Sequence, residues 1–344
     1  MRHFISTQDW AVAELQALLE EAGALKSRPL QPLLQGRTLA LLFLNPSLRT
    51  RASFQIGAAQ LGATAIVLEP GNGVWGIEFD SGKVMDGQAE EHIVEVAQVL
   101  SRYCDLIATR AFPGFKNWHY DREDPLIKAL ARHARVPVIN METIIHPCQE
   151  LALVMTLQER LGRLEGKKLC LTWTWNPHPL STAVANSVSM IATKFGMNVS
   201  LLCPTPEYVL DERFMKAAQE NSARSGGRLS VTHEIREGYE GADVVYANSW
   251  GALPYYGDPE REWSLSRAYG RFIVDERKMA MTNNAILSHC LPVRRNVEAT
   301  DGVLDAPSCV AIDEAENRLH VQKALMLRLL DAAGSGTRSQ REQA

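Results

Sequence analysis

The sequence predicts an α/β protein of two doubly wound parallel-sheet domains linked by long helices. Three observations lead there. Short apolar runs alternate with longer amphipathic stretches, the pattern of two-sided buried strands with helices between them. The alternation occurs in both halves of the chain. A length of 344 residues also suffices for two domains, each with its own core. The expected first domain is 1–148 and the second 149–333, with the C-terminal helix packing back on the first. The polar, Gly/Ser-containing tail 334–344 is expected to be disordered.

In order, a helix is expected over 10–25, with Trp10, Leu15, Leu18, Leu19 and Ala22 on one face. The run 39–44, bounded by Gly36 and Asn45-Pro46, reads as a buried strand. The helix after it turns Phe54, Gly57, Ala58 and Leu61 inward. A strand at 63–68 precedes a Gly-rich loop reaching Gly87, then a helix over 90–103. Strands at 106–109 and 137–139 follow, and a long helix over 149–161 bridges to the second half. There the strand-like runs are 168–174, 198–203, 243–246, 272–275, 286–288 and 310–313. Helical stretches lie at 182–195, 211–223 and 319–330.

Composition excludes several classes of function. With 46% hydrophobic and 22% charged residues, the chain has the make-up of a soluble enzyme. No apolar stretch approaches the ~18–20 residues that span a bilayer. A net charge of −4, with basic residues scattered apart from Arg294-Arg295, gives no case for nucleic acid or a membrane surface. The six cysteines form no Cys-x-x-Cys pair. His146 and Cys148 stand two apart and His289 and Cys290 are adjacent, spacings that do not suit zinc, so no metal is expected. No basic segment followed by an apolar run opens the chain as a signal peptide would. The expectation is a cytoplasmic, reduced protein without a cofactor. Gly71-Asn72-Gly73-Val74-Trp75-Gly76 formally matches a dinucleotide fingerprint, but the residues after Gly76 do not continue as an amphipathic helix.

The strongest local signal is Asn45-Pro46-Ser47-Leu48-Arg49-Thr50-Arg51, where a strand gives way to a helix. Ser47 is a good N-cap, and free N–H groups in the first helical turn favour an anion. Arg49, Thr50 and Arg51 add guanidinium and hydroxyl donors, and arginine's fork suits phosphate oxygens. Two arginines in a first turn oppose the helix dipole, which prefers acidic residues there. A bound anion resolves that conflict; the ordinary alternative is a solvated basic helix end.

Ser-x-Arg-Thr-Arg after a first strand resembles the phosphate loop of the aspartate/ornithine carbamoyltransferase family. Arg110 after a strand, His146-Pro147-Cys148-Gln149 and His289-Cys290-Leu291-Pro292 agree with that family in order and spacing, and the resemblance covers about residues 1–330. It implies carbamoyl phosphate as one substrate. Ser47, Leu48, Arg49 and Thr50 would hold its phosphate, with Arg51 supporting and Arg318 also reaching it. Arg110, His146 and Thr50 would converge on the carbamoyl oxygen, where charge develops during attack by an amine. Gln149 and main-chain carbonyls near Cys290 and Leu291 would take the amide hydrogens, with Pro147 and Cys148 lining the site. The resemblance also implies a homotrimer in which the Trp75 loop enters the neighbouring active site. Read alone, His146 is a structural histidine beside a proline, Arg110 a surface arginine, and Cys290 a thiol beside His289 that could be taken for a nucleophile.

The amine is read from finer resemblances. Cys290 argues for the ornithine branch, but Tyr246-Ala247-Asn248-Ser249-Trp250-Gly251 lacks the carboxylate that faces a free α-amino group. A site without that charge disfavours an ammonium, because burying one unpaired is costly. Met85-Asp86-Gly87, Asn140-Met141-Glu142-Thr143, Trp250-Gly251-Ala252-Leu253-Pro254 and Glu316-Asn317-Arg318-Leu319-His320 resemble the members acting on N-acetylornithine. That resemblance implies contacts from Glu142 and Asn248. Glu90, where succinyl-preferring members have proline, would repel a second carboxylate. Two positions depart from the pattern: Asn248 replaces a lysine, with Arg294 or Arg295 as a substitute cation, and Glu298 replaces a lysine that can be carboxylated. The alternatives are a sister enzyme for N-succinylornithine or ornithine, and a binding protein that kept the fold and lost turnover.

Overall fold

The computed structural model describes residues 1–178 and 181–341, with the backbone only for 332–341. The chain divides into two compact units: Met1–Pro113, Tyr120–Leu151 and the segment from Arg318 onward form one, Gly114–His119 and Ala152–Asn317 the other.

In the first unit β1 (Thr38–Phe43), β2 (Thr64–Leu68), β5 (Leu106–Arg110) and β6 (Val138–Glu142) form a parallel sheet in the order β2-β1-β5-β6. Between β2 and β5 lie β3 (Ile77–Glu78) and β4 (Glu91–His92), a minimal parallel pair of their own. β5 and β6 are buried at every position, and β1 at all but its first, which is why apolar residues run together in β1 and at the start of β5 and β6. β2, at the edge, is partly exposed throughout. Ile93, Ala97 and Leu100 of the helix Ile93–Tyr103 pack with Ile127 and Leu130 of the helix Pro125–His133 over one face. The sheet order reverses between β1 and β5, so their carboxyl ends border a crevice of the kind where ligands bind in doubly wound sheets.

The second unit holds β7 (Lys168–Trp173), β8 (Asn198–Leu202), β9 (Arg228–Thr232), β10 (Val244–Asn248) and β11 (Ile286–Ser288), all parallel, in the order β11-β10-β7-β8-β9. The order reverses between β7 and β10. Trp173 at the end of β7 is buried, donates its indole N–H to the Trp250 carbonyl at 2.8 Å and packs edge-on to Phe272.

The architecture is the expected α/β one, and several elements differ from the sequence reading. The helix expected from residue 90 starts at Ile93, because Glu91 and His92 pair with β3. The run 272–275 is no sheet strand: only Val274 makes a bridge, to Ala299, and Asp275 caps the short helix Glu276–Met279. The run 310–313 is not a strand either. Val310 donates to the Leu287 carbonyl, and the helix Ala311–Arg341 begins at the next residue, with Asp313 and Glu314 in its first turn where its dipole favours them. That helix runs on through Arg341, where a disordered tail is expected from 334; residues 342–344 of that tail lie outside the described residues. β9 and the helix Pro125–His133 went unanticipated. β9 is a half-exposed edge strand with little apolar signal, whereas Asp124-Pro125 is a recognisable helix start.

Two-sided burial makes the central strands sensitive to truncation. Leu41→Ala in β1 and Leu171→Ala in β7 are each expected to destabilise the protein by about 2–5 kcal/mol in urea denaturation. Losses below about 1 kcal/mol would mean that these strands are not packed on both faces.

Candidate active site

The first unit gathers most of the expected residues around the end of one helix. Ser47 caps the helix Leu48–Gln60, its Oγ accepting from the Thr50 N–H at 3.2 Å. The Leu48 side chain is exposed, whereas Thr50 is fully buried. Asn45 ties this turn to the end of β5, its Oδ1 accepting from the Phe112 N–H at 2.6 Å. Sequence reasoning passed over Asn45 as turn chemistry, although its place beside Pro46 at a strand end was the available signal. Arg51 turns away, its exposed guanidinium pairing with Glu69 at 2.8 Å.

β5 and β6 bring a second group to the same edge. Their register shifts between Thr109 and Arg110, which sets Arg110 opposite Glu142. The two side chains form a buried ion pair, and Arg110 also lies over the Phe112 ring at 4.6 Å. Glu142 Oε2 lies 3.3 Å from His146 Nε2. Below them Asn140 Nδ2 donates to Thr143 Oγ1 at 2.9 Å, and Thr143 donates to Asp124 at 2.6 Å, which fixes the turn out of β6. His146 leads into the helix Pro147–Leu161, where Cys148 and Gln149 are buried in the first turn. Burial pushes the Cys148 thiol up to about 12, so it acts as packing rather than as a nucleophile. From the C-terminal helix the buried Arg318 donates to Thr50 Oγ1 at 2.6 Å.

The electrostatics follow from this crowding. Burial holds the His146 imidazole well below the usual histidine value, and Arg318, Arg110 and Arg49 push the same way. Burial pushes the Glu142 carboxyl up, opposed chiefly by Arg110, then by Arg318 and Arg49. Burial lowers the Arg318 guanidinium, though not enough to discharge an arginine. Three guanidiniums, those of Arg49, Arg110 and Arg318, thus act on a pocket where the interacting carboxyl, Glu142, supplies at most one negative charge. Glu150, the next buried carboxyl in the sequence, bonds to Thr7. Two of these guanidiniums, Arg110 and Arg318, are buried and Arg49 is partly buried, beside a capped helix N-terminus, a setting that suits an anion.

The remaining expected residues are elsewhere. Trp75 is 66% exposed, just past a turn closed by the Gly71 N–H and the Val74 carbonyl. Gly76 is followed by β3 rather than by a helix, so the Gly-x-Gly-x-x-Gly match is not a dinucleotide loop. Glu90 is exposed just before β4. Cys290, Leu291, Asn248, Arg294 and Glu298 belong to the second unit. There Asn248, at the end of β10, donates from Nδ2 to Cys290 Sγ at 3.5 Å. His289 Nδ1 accepts from the Leu291 N–H at 2.8 Å, so that nitrogen is turned to the backbone and not to Cys290 as a base would be. Glu298 is buried and accepts from the Arg294 N–H at 2.7 Å and from Asn176 Nδ2 at 3.3 Å. Burial pushes the Glu298 carboxyl up. Arg294 and Arg295 are both exposed, and Arg295 pairs with Asp301 and Asp305. Asn176, a neighbour of Glu298, was missed because the two lie 122 residues apart. Among the described residues no cluster of His, Cys, Asp and Glu has the geometry of a metal site.

Comparison with known proteins gives the same direction. Residues 2–159 match the carbamoyl-P binding domain of the aspartate/ornithine carbamoyltransferases, and residues 167–329 match their Asp/Orn binding domain. The chain is 59% identical over 340 residues to an N-acetylornithine carbamoyltransferase of Xanthomonas axonopodis pv. citri, covering 98% of this chain and 99% of the relative. It is 36% identical over 344 residues to an N-succinylornithine carbamoyltransferase of Bacteroides fragilis, covering 96% and 99%. A crystal structure of acetylornithine transcarbamylase complexed with acetylcitrulline superposes with a TM-score of 0.95 at 60% identity, covering 96% of this chain and 99% of that one.

The neutral ring of His146 has a measurable signature. The folded state holds it unprotonated, while the unfolded chain binds a proton near about 6.5. Stability should therefore fall as pH drops through that value and recover above it. His146→Gln should flatten that slope in denaturation midpoints measured on either side of it; an unaltered slope would show that the folded ring is already protonated.

Proposed function

We propose, for a chain that belongs to the aspartate/ornithine carbamoyltransferase family, transfer of the carbamoyl group of carbamoyl phosphate to the side-chain amine of N-acetyl-L-ornithine, giving N-acetyl-L-citrulline and phosphate. The observation that carries it is the convergence of the buried Arg110 and Arg318 and the partly buried Arg49 on the capped end of the helix Leu48–Gln60, which suits a phosphate dianion. In this reading Ser47, the Leu48 main chain, Arg49, Thr50 and Arg318 hold the phosphate, with Trp75, Pro147 and Cys148 lining the site. Arg110, His146 and Thr50 address the carbamoyl oxygen; a neutral imidazole can donate one N–H there without adding charge. Gln149 and the carbonyls at Cys290 and Leu291 receive the amide hydrogens. The amine nitrogen bonds to the carbamoyl carbon as the carbon–oxygen bond to phosphate breaks, and the departing phosphate takes a proton from the new amide nitrogen. No enzyme-bound covalent intermediate is needed, so positioning supplies much of the rate.

Recognition of the amine is assigned to Glu142, Asn248, Arg294 and Glu298 within the chain, and to Glu90 for the choice of acyl group. Asn248 offers no charge to an α-ammonium, which favours an acylated amine over free ornithine. The greater identity to an enzyme named for N-acetylornithine than to one named for N-succinylornithine supports the same choice. The working form is read as a homotrimer whose Trp75 loop is shared between subunits, acting in the cytoplasm in arginine biosynthesis.

Carbamoyl phosphate offered with N-acetylornithine, N-succinylornithine, ornithine and aspartate in parallel should give product with N-acetylornithine. Turnover of another amine in its place would overturn the substrate assignment and leave the phosphate chemistry intact. Glu90→Pro should shift relative kcat/KM toward N-succinylornithine, and an unchanged ratio would remove Glu90 from acyl selection. Arg110→Met should lower kcat by about 10²–10³ if the guanidinium stabilises the developing oxyanion.

A further inference from the structure

The C-terminal helix carries a buried cation that the chemistry above does not use. Lys323 is fully buried, and its ammonium donates to the Leu25 carbonyl at 3.3 Å, the Pro29 carbonyl at 3.3 Å and Gln60 Oε1 at 2.9 Å. All three acceptors are neutral. Burial lowers its pKa, with no carboxylate acting in the other direction. An ammonium without a counter-charge is costly to bury, and an apolar side chain could fill the space without that cost. Leu25 lies in the last turn of the helix Val12–Ser27, Pro29 just beyond it, and Gln60 ends the helix Leu48–Gln60. Two acceptors are thus carbonyls at the negative end of the helix Val12–Ser27, and the third is the side-chain oxygen of the last residue of the helix Leu48–Gln60.

A second observation concerns Gly57. A Cβ there would lie 3.2 Å from Lys323 Cγ, 3.3 Å from Leu319 Cδ1 and 3.4 Å from Met326 Cε. Residues 319, 323 and 326 form one row of the C-terminal helix, and that row lies close against the helix Leu48–Gln60. At the other end of the same helix Arg318 meets Thr50. The contacts run in the same order along both helices, 318 to 50 and then 323 to 60. The helix Leu48–Gln60 is thus tied to the C-terminal helix near each of its own ends.

We propose that Lys323 is a positioning residue for the carbamoyl-phosphate site: it locks the helix Leu48–Gln60 lengthwise against the C-terminal helix, so that Arg318 and Thr50 meet at the phosphate cradle. The proposal rests on the carbamoyl-phosphate reading. A slip of one residue along a helix is about 1.5 Å, enough to break the Arg318–Thr50 hydrogen bond.

The test uses the full chain as wild type, Lys323→Met, Arg318→Lys and the double variant. It reads KM for carbamoyl phosphate, kcat, and the Kd for inorganic phosphate by calorimetry. Lys323→Met should raise both KM and Kd about tenfold with kcat nearly unchanged, the signature of lost uniform binding. The double variant should bind no worse than Arg318→Lys alone, because residues acting through one another are not additive. Fully additive losses, or a lowered Tm with unchanged KM and Kd, would overturn the proposal. If Lys323→Met does not fold, Gln60→Ala removes one acceptor and leaves the lysine; phosphate affinity unchanged in that variant overturns it too. Absence of turnover in the wild type would refute the reaction assigned above, while the phosphate titrations would still decide the role of Lys323.

Discussion

The pairing of Arg110 with Glu142 is the interaction on which the rest of the site depends. Both sit at carboxyl ends of neighbouring strands, and a single register shift makes them opposite rather than staggered. Without Glu142, three guanidiniums would share a water-poor pocket with nothing to separate them. A second carboxylate would cut the excess of positive charge and weaken the pull on an anion. One carboxyl among three arginines is the intermediate case: the cations are held apart and in place, yet the region stays short of negative charge. The neutrality of His146 follows from the same arrangement, since a fourth cation there would be the least tolerable.

The second unit solves a different problem with weaker fields. One of its buried carboxyls, Glu298, accepts from the Arg294 N–H and from Asn176, with His289 Nε2 3.8 Å away, and so helps to shape a turn. Asn248 presents an amide at the end of β10. A recognition surface of amides and backbone groups distinguishes molecules by shape and by the match of donors to acceptors. The first unit distinguishes by charge.

How much of this was legible in the sequence depended on how local the cause was. Residues 39–44, 106–109, 168–174 and 198–203 announced themselves because strands buried on both faces are apolar at consecutive positions. The runs 272–275 and 310–313 looked alike but are too short to separate strand from helix start, and Asp275 and the Asp313-Glu314 pair were the better guides. β9 hid because an edge strand can afford polar residues on both faces. The capped helix start at Ser47 was readable, since cap, hydroxyl and arginines lie within one helical turn. The partner of Arg110 was not, because it depends on a register shift 32 residues away in sequence from Glu142. Arg51 misled for the opposite reason: its neighbours in sequence suggest a phosphate, and Glu69 across the helix end claims it.

The bond between Arg318 and Thr50 joins residues 268 positions apart. Chains are synthesised from the N-terminus, and domains generally fold as units in that order. Here the order is disturbed, because the first unit includes the segment from Arg318 onward while the second ends at Asn317. A nascent chain that has just exposed residue 317 owns the whole sequence of its second unit and an unfinished version of its first. The unit that begins the protein is therefore the last one translation can complete.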